Sequence, residues 1–397
     1  MLFEGNISTL EQLLHPMKRD TFVEHYVNQE PFFVHGGLST RATNLITVDE
    51  VSELVEQGLH PEGRIKLYRE GKQVPSQHYC TQDAKPRVNP FLLRRLLSVG
   101  ATLIINGIDE LHRGIGDLCQ ALELELSSDV WANAYVTVKH GGAFNIHFDD
   151  HDVLALQISG SKRWRLFGKT EEFPLHPGES LGEPPSIEQQ NDVMKSGEVL
   201  FIPRGVWHCA EVVESPSFHI TFGLRGKTAI DLIKTGLDGL QKAALFRKYI
   251  PRIGGDQLLR RHGEEIKAHL HKWVDHLSLD VFLFLIDADR RNRSQLALWD
   301  PITILGASKL WLTSRRMQPA QLLDSYRCNS VRLGGENYDL TSTEMLVLKI
   351  AFKRIVLSVD ELVAEVGRSG NAVSDADLHS AVVRLVECGL LNAEGNR

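Results

Sequence analysis

Cysteine is sparse in this chain, and no two cysteines lie close together. The five (Cys80, Cys119, Cys209, Cys328, Cys388) are odd in number and form no Cys-x-x-Cys pair. That opposes a disulfide framework and a zinc–thiolate site, and suits a reducing compartment. Long apolar runs are missing too: none reaches the about 18–20 residues that a membrane-crossing helix needs. The opening Met-Leu-Phe-Glu-Gly-Asn has neither the basic nor the apolar part of a signal peptide. Positive charge is not in excess. Lys and Arg number 44 against 51 Asp and Glu, a net charge of −7, which argues against attachment to nucleic acid by bulk electrostatics and leaves room only for a local basic patch. At 397 residues, 42% hydrophobic and 24% charged, the chain has ordinary globular composition and room for two or three domains with cores of their own. A soluble, cytoplasmic protein is expected.

What the chain does contain is His147-Phe148-Asp149 and, well downstream, Ile202-Pro-Arg-Gly-Val-Trp-His208. Two imidazoles and one carboxylate form a facial triad, which holds Fe(II) on one side and leaves the opposite positions open. His147 and Asp149 are two apart, so on a strand both side chains leave one face. A distant third ligand must arrive from a neighbouring strand, and Gly197–Pro203 is a short apolar run of that kind. Other readings of these residues exist: His147 as an ordinary strand residue, Asp149 as a turn former beside Asp150. His151 shares the strand parity and is a decoy ligand, with a substrate-pocket or structural role preferred. His219 reads as a satisfied barrel histidine, and Trp164 and Trp207 as barrel core. Arg204 either orients its loop or contacts substrate.

Texture divides the chain into three regions. Residues 1–228 are mixed and end β-rich. Helical patterns at Thr9–Leu14 and Arg19–Asn28 precede an extended Pro31–His35. Short strands are then expected at Trp131–Lys139, Phe144–Phe148, Val153–Ile158, Arg163–Phe167, Asp192–Met194, Val199–Ile202 and Phe218–Leu224, with Gly141-Gly142, Ser159-Gly160, Lys195–Gly197 and Arg204-Gly205 between them. That rhythm suggests a sandwich or jelly roll. Residues 229–300 turn helical, with Ile230, Ile233 and Leu237, then Ile266, Leu270, Trp273 and Leu277 at helical spacing. The apolar Leu279–Ile286 is either a buried helix or a dimer contact, and Asp287–Arg293 is a charged break. Residues 301–397 carry three helix starts: Thr341 with Glu344 as a capping box and Leu340 with Met345 as a staple, Ser358 with Glu361 as a second box, and Ser374 opening a helix that Gly389 can end. Three short helices followed by Leu390-Leu391 suggest a winged helix. Its third helix offers Asp375, Asp377 and Glu387 against Arg384 alone, so a protein contact is favoured over DNA.

The stretch from His147 to Leu166, together with Ile202–His208, resembles the JmjC-domain 2-oxoglutarate oxygenases, and most of all their ribosomal oxygenase (cupin-4) branch. Phe22–Tyr26 and Pro31–Val34 resemble that branch's N-terminal segment. The resemblance implies an α+β chain: a double-stranded β-helix (the cupin/JmjC jelly roll), a helical dimerisation region and a C-terminal winged-helix domain. It implies His147, Asp149 and His208 as Fe(II) ligands, with 2-oxoglutarate as cosubstrate and O2 as oxidant. Lys162 stands where the family binds the distal carboxylate; without that register it would read as a solvated hairpin residue. Asn133 and Tyr135 match the family's Asn-x-Tyr that lines the cosubstrate pocket, and Thr221, on the strand after His208, faces the same region. The family often has serine where this chain has Gly223. The function implied is hydroxylation of a protein or peptide side chain, a ribosomal protein His or Arg first, by a homodimer. Tailoring of a peptide natural product and N-methyl-lysine demethylation stay open, as does a non-enzymatic cupin sensor or adaptor, against which the triad with Lys162 speaks. Substrate specificity is not readable from loops such as Phe173–Gln190.

Overall fold

The structure, a computed structural model, describes residues 7, 9–37, 42, 44–56, 64–82, 86–139, 145–176, 182–241, 243–275, 277, 279, 307–312, 330–333, 336–352, 357–370, 373–388 and 391–395. Gly141-Gly142, the first residue of the expected strand Phe144–Phe148, part of the Phe173–Gln190 loop, nearly all of Leu279–Ile286, the break at Asp287–Arg293, Cys328, Gly389 and Leu390 lie outside the described residues, as does the expected boundary at residue 300. Contacts divide the chain into two compact units, Met1–Arg225 and Gly226–Arg397.

In the first unit nine antiparallel strands form one curled sheet. Two long strands organise it: β6 (Asp152–Lys169) and β9 (Val206–Gly226). The first half of β6 pairs with β8 (Val199–Ile202) and with the far end of β9. Its second half pairs with β7 (Gln190–Lys195) and the near end of β9. Ser159-Gly160, expected to separate two strands, instead makes a corner within one, marked by register shifts from Gln157 to Lys162. Gly160 is needed there. Its φ is +65°, and a Cβ would lie 2.3 Å from the Pro216 carbonyl oxygen; only glycine accepts both at low cost.

Alternation along β6 explains why the corner closes a barrel. Val153 and Ala155 from one half cluster with Trp164 and Leu166 from the other, together with Met194, Leu200, Ile202 and Val206. The two halves therefore face each other across an apolar interior. Leu154, Leu156 and Ile158 point the other way, into a larger core shared with Phe201, Phe218, Ile220 and Phe222. Helices close this outer face. In α5 (Arg113–Leu126), capped by His112, the residues Ile115, Leu118 and Leu122 are buried. The N-terminal strand β1 (Phe32–Val34) pairs with β8, Phe32 opposite Phe201, and Phe22 packs against both rings. Each such fully buried side chain contributes about 1.5–3 kcal/mol, so the N-terminal segment holds β8 and the turn that follows it.

The second unit begins with helices Ala229–Leu240, Ala244–Arg247 and Asp256–Asp275. On the first of these, Ile230, Ile233 and Leu237 are exposed, and between the second and third helices Tyr249 and Ile253 are almost wholly so. Further on, helices Ser342–Phe352, Val359–Arg368 and Asp375–Glu387 share a core with Leu340, Leu357 and Leu391. A three-stranded sheet (Leu357–Ser358, Ala307–Leu312, Leu391–Gly395) and a two-stranded antiparallel sheet (Ser330–Leu333 with Glu336–Asp339) accompany them. Thr341 with Glu344 and Ser358 with Glu361 form reciprocal capping boxes, and Ser374 caps the third helix through the Asp377 N–H. The buried Glu344 also takes two hydrogen bonds from Arg384 Nη1, at 2.9 and 3.0 Å, while Arg384 Nη2 donates to the Asp339 carbonyl. The one arginine of the third helix is thus engaged within its own unit.

Candidate active site

His208 is the third residue of β9, the strand after the apolar run Val199–Ile202, so the third ligand comes one strand later than that run. His147 belongs to no strand. It joins His208 through an isolated bridge in which the two residues exchange both backbone hydrogen bonds, at 3.1 and 2.7 Å. This pairing sets the rings side by side, with centroids 4.5 Å apart. Phe148 turns inward against Trp207, leaving His147 and Asp149 on the opposite side. Two hydrogen bonds tie the turn before His208 to this segment: Gly205 N–H donates to the Asp149 carbonyl, and Arg204 N–H to the buried Asp152 carboxylate, both at 2.9 Å. The Arg204 guanidinium lies over the Phe173 ring, which accounts for that arginine as part of the loop.

One ligand atom from each of His147, Asp149 and His208 lies within 4.8 Å of the others. Both imidazoles are oriented for a metal. His147 Nδ1 lies 2.9 Å from the Asn145 carbonyl and His208 Nδ1 2.9 Å from that of Val206. A carbonyl accepts, so each Nδ1 carries the proton and each Nε2 offers its lone pair. His208 Nε2 is 3.6 Å from Asp149 Oδ2. Burial, followed by the charge of His147, pushes the His208 pKa down to about 4, so its ring is neutral at physiological pH. The donor set of two imidazoles and a carboxylate fits Fe(II). Among the described residues His151 does not join it. The parity argument fails because 147–151 is not a regular strand, and His151 Nδ1 sits 3.0 Å from Asp150, with its ring against Trp131.

The remaining candidate residues line the barrel interior. Strand β5 (Ser128–Thr137) alternates, with Val130, Ala132, Ala134 and Val136 in the outer core and Trp131, Asn133 and Tyr135 turned the other way. Tyr135 is hydrogen-bonded to Thr221 and Asn133, and burial together with the Asp149 charge raises its pKa to about 12, so it remains a donor. Thr221 is not on a later strand than His208 but on the same one, beyond the corner. The place of a side chain at Gly223 is filled by Trp131: a Cβ there would lie 2.4 Å from the indole.

Lys162 is not a surface residue. It is 4% exposed, and its Nζ lies 3.0 Å from His219 Nδ1. Burial alone lowers its pKa to about 7, and burial first, then Lys162, pushes His219 well below its usual value. Among the described residues no carboxylate neutralises this ammonium. His219 also stacks on Tyr135, with ring centroids 4.6 Å apart. His219 is thus a barrel histidine with a partner, as its sequence reading had it; that the partner is Lys162 was not read.

Residues 112–232 match the family pattern of the JmjC domain. These residues are a JmjC domain. Over 281 residues the chain is 26% identical to the bifunctional lysine-specific demethylase and histidyl-hydroxylase NO66 of Drosophila persimilis, covering 68% of this chain and 40% of that protein. Over 230 residues it is 26% identical to ribosomal oxygenase 2 of Rattus norvegicus, covering 55% and 48%. The chain thus spans less than half the length of these two relatives. Its fold is similar to that of YcfD, a ribosomal oxygenase from Escherichia coli solved with cobalt and 2-oxoglutarate: TM-score 0.58, 16% identity, covering 96% of this chain and 99% of that one. Among the described residues no helix is long and apolar enough to cross a membrane.

Proposed function

We propose that this chain is an Fe(II)- and 2-oxoglutarate-dependent dioxygenase that hydroxylates a side chain of a protein or peptide. One observation carries the reading: a buried ammonium without a counter-charge, Lys162, shares a barrel with a three-residue ligand set whose histidines both present Nε2. A buried unpaired charge is costly unless something arrives to pair it. A dicarboxylate chelating a metal through its 2-oxo acid end and ending on Lys162 answers both features. His147, Asp149 and His208 would hold the iron. Lys162, Asn133, Tyr135 and Thr221 would bind the cosubstrate. The iron and cosubstrate, when bound, supply the oxidising chemistry that ends in succinate and carbon dioxide. The protein's part is to fix two imidazole tautomers through Asn145 and Val206, to keep water from the apolar interior, and to offer one buried cation in the same barrel.

The ribosomal oxygenases among the relatives support a ribosomal protein as substrate, and the histidyl-hydroxylases a His target, with Arg kept as the alternative. We assign residues 1–228 to the catalytic domain, 229–300 to a helical dimerisation region and 301–397 to a winged helix. The exposed apolar Ile230, Ile233, Leu237, Tyr249 and Ile253 support a homodimer. The engagement of Arg384 by Glu344 supports a protein contact over DNA for the last domain. We place the protein in the cytoplasm, in keeping with free Cys80, Cys119, Cys209 and Cys388.

The test is anaerobic addition of Fe(II) and 2-oxoglutarate, followed by oxygen and a peptide or ribosome screen read by mass spectrometry. A visible charge-transfer band that His147→Ala abolishes, and one added oxygen atom on a substrate peptide, are expected. Loss of a methyl group as formaldehyde would redirect the reading to demethylation. A metal-independent protein without the band would leave a binding module.

A further inference from the structure

The indole of Trp164 is buried, 4% exposed, and its Nε1 has no hydrogen-bond partner among the described residues. Buried indole N–H groups ordinarily find an acceptor, and two others in this chain do: Trp207 donates to Thr170 Oγ1 at 2.8 Å and Trp273 to the Gly236 carbonyl at 3.1 Å. The position of Trp164 is specific. On β6 the residues Lys162, Trp164 and Leu166 are buried in alternation with the partly exposed Arg163 and Arg165. In the neighbouring strand they stand opposite Val212, Ala210 and His208, so Trp164 lies midway between the ammonium and the metal-side histidine. Its ring is 6.1 Å from that of His208 and meets His219, the partner of Lys162, edge-on at 5.7 Å.

We propose that Trp164 is a further cosubstrate-binding residue, its indole N–H donating to the dicarboxylate held between the His147–Asp149–His208 set and Lys162. This rests on the cosubstrate reading above and deepens it. The rest of the ring packs with Val153, Ala155, Leu166 and Met194, so one side chain does two jobs: its hydrocarbon fills the barrel, and its one polar atom is left for a ligand. Such an N–H costs the empty site an unmade hydrogen bond and repays it only when an acceptor enters.

Trp164→Phe keeps most of the hydrocarbon and removes the donor. Manganese affinity and 2-oxoglutarate affinity of the manganese-loaded protein are measured by calorimetry without oxygen. Unchanged metal binding and a rise of about tenfold or more in the 2-oxoglutarate Kd are expected, the size of a lost hydrogen bond to a charged group. Should the wild type itself bind no 2-oxoglutarate, the proposed function fails. Should it bind while Trp164→Phe binds equally well, that function stands and the role of Trp164 is refuted. Wild-type protein provides a check if the variant does not fold. With 15N-labelled tryptophan and Zn(II), one of the six indole resonances should move downfield on saturation with 2-oxoglutarate, and still do so in Trp131→Phe. A spectrum without such a movement overturns the proposal.

Discussion

Replacing Lys162 with methionine should stabilise the cosubstrate-free protein while abolishing cosubstrate binding. Burial moves the lysine from 10.5 to about 7, which at ~1.4 kcal/mol per unit is roughly 5 kcal/mol of opposition to its charged form. Between those two values the folded state binds fewer protons than the unfolded state, so stability rises with pH across that window. Below pH 7 both states are protonated and the full cost is present; toward pH 10.5 it fades. Methionine removes the cost but leaves His219 Nδ1 without its donor, a loss of about 1–3 kcal/mol. At pH 6 the net gain should therefore be about 2–4 kcal/mol, or roughly 5–10 °C in Tm. Near pH 10 the order should reverse, because only the His219 penalty remains. The assay is thermal unfolding of metal-free protein from pH 6 to pH 10, with calorimetry of 2-oxoglutarate on the manganese-loaded forms. A variant that is less stable than wild type at pH 6 would mean that Lys162 has a compensating partner, and the argument from an uncompensated charge would fall.

Other expectations follow from the same geometry. Because free Lys162 titrates near 7 and a bound carboxylate restores its charge, 2-oxoglutarate binding at pH 8 should take up a proton and weaken by up to about tenfold per pH unit above 7; calorimetry in two buffers of different ionisation enthalpy measures this, and Lys162→Arg should flatten it. Asp152→Ala strands the Arg204 N–H, costing about 1–3 kcal/mol, and should weaken manganese binding by loosening the turn before His208, whereas Asp152→Asn, which keeps an acceptor, should retain most of it. Gly160→Ala meets the Pro216 and Glu214 carbonyls at a φ of +65° and should lower stability by about 1–3 kcal/mol, read as a fall in Tm. In the second unit, Arg384→Ala leaves the buried Glu344 carboxylate with its helix cap alone and should cost about 1–3 kcal/mol, checked by urea unfolding.

The parts of the site that were legible in the sequence are those governed by local alternation. The His147–Asp149 spacing puts Phe148 on one side and both polar residues on the other, although the segment pairs only through a bridge. Val199–Ile202 reads as a strand because its four residues are uniformly apolar, and all four are buried. What stayed hidden depends on long-range closure. Ser159-Gly160 has the composition of a turn, yet serves as a corner because Pro216 and Glu214 press against it from a distant strand. Without the family register that singles it out, Lys162 beside Arg163 and Arg165 looks like one of three solvated cations. Only the fold of β6 over its own first half separates the buried lysine from its neighbours, and by then its partner, His219, is 57 residues away.

Glu344 and Lys162 are buried charges held in different ways. Glu344 in the second unit is met by Arg384 and by its own helix cap. In the first unit Asp109, Glu123 and Asp152 each accept a backbone N–H, from Ala132, Val130 and Arg204. Lys162, the one lysine or arginine fully buried among the described residues, meets only a neutral imidazole. Glu344 with Arg384 shows that a buried charge in this chain can be given an opposite one. An acid beside Lys162 would stabilise the empty barrel and close the position to any incoming anion. The uncompensated ammonium and the unpartnered Trp164 N–H share one interior with the Nε2 atoms of His147 and His208, where local stability and ligand binding make contrary demands. A purely structural barrel has no reason to concentrate those costs in one interior, whereas a site for a metal-chelated dicarboxylate requires it.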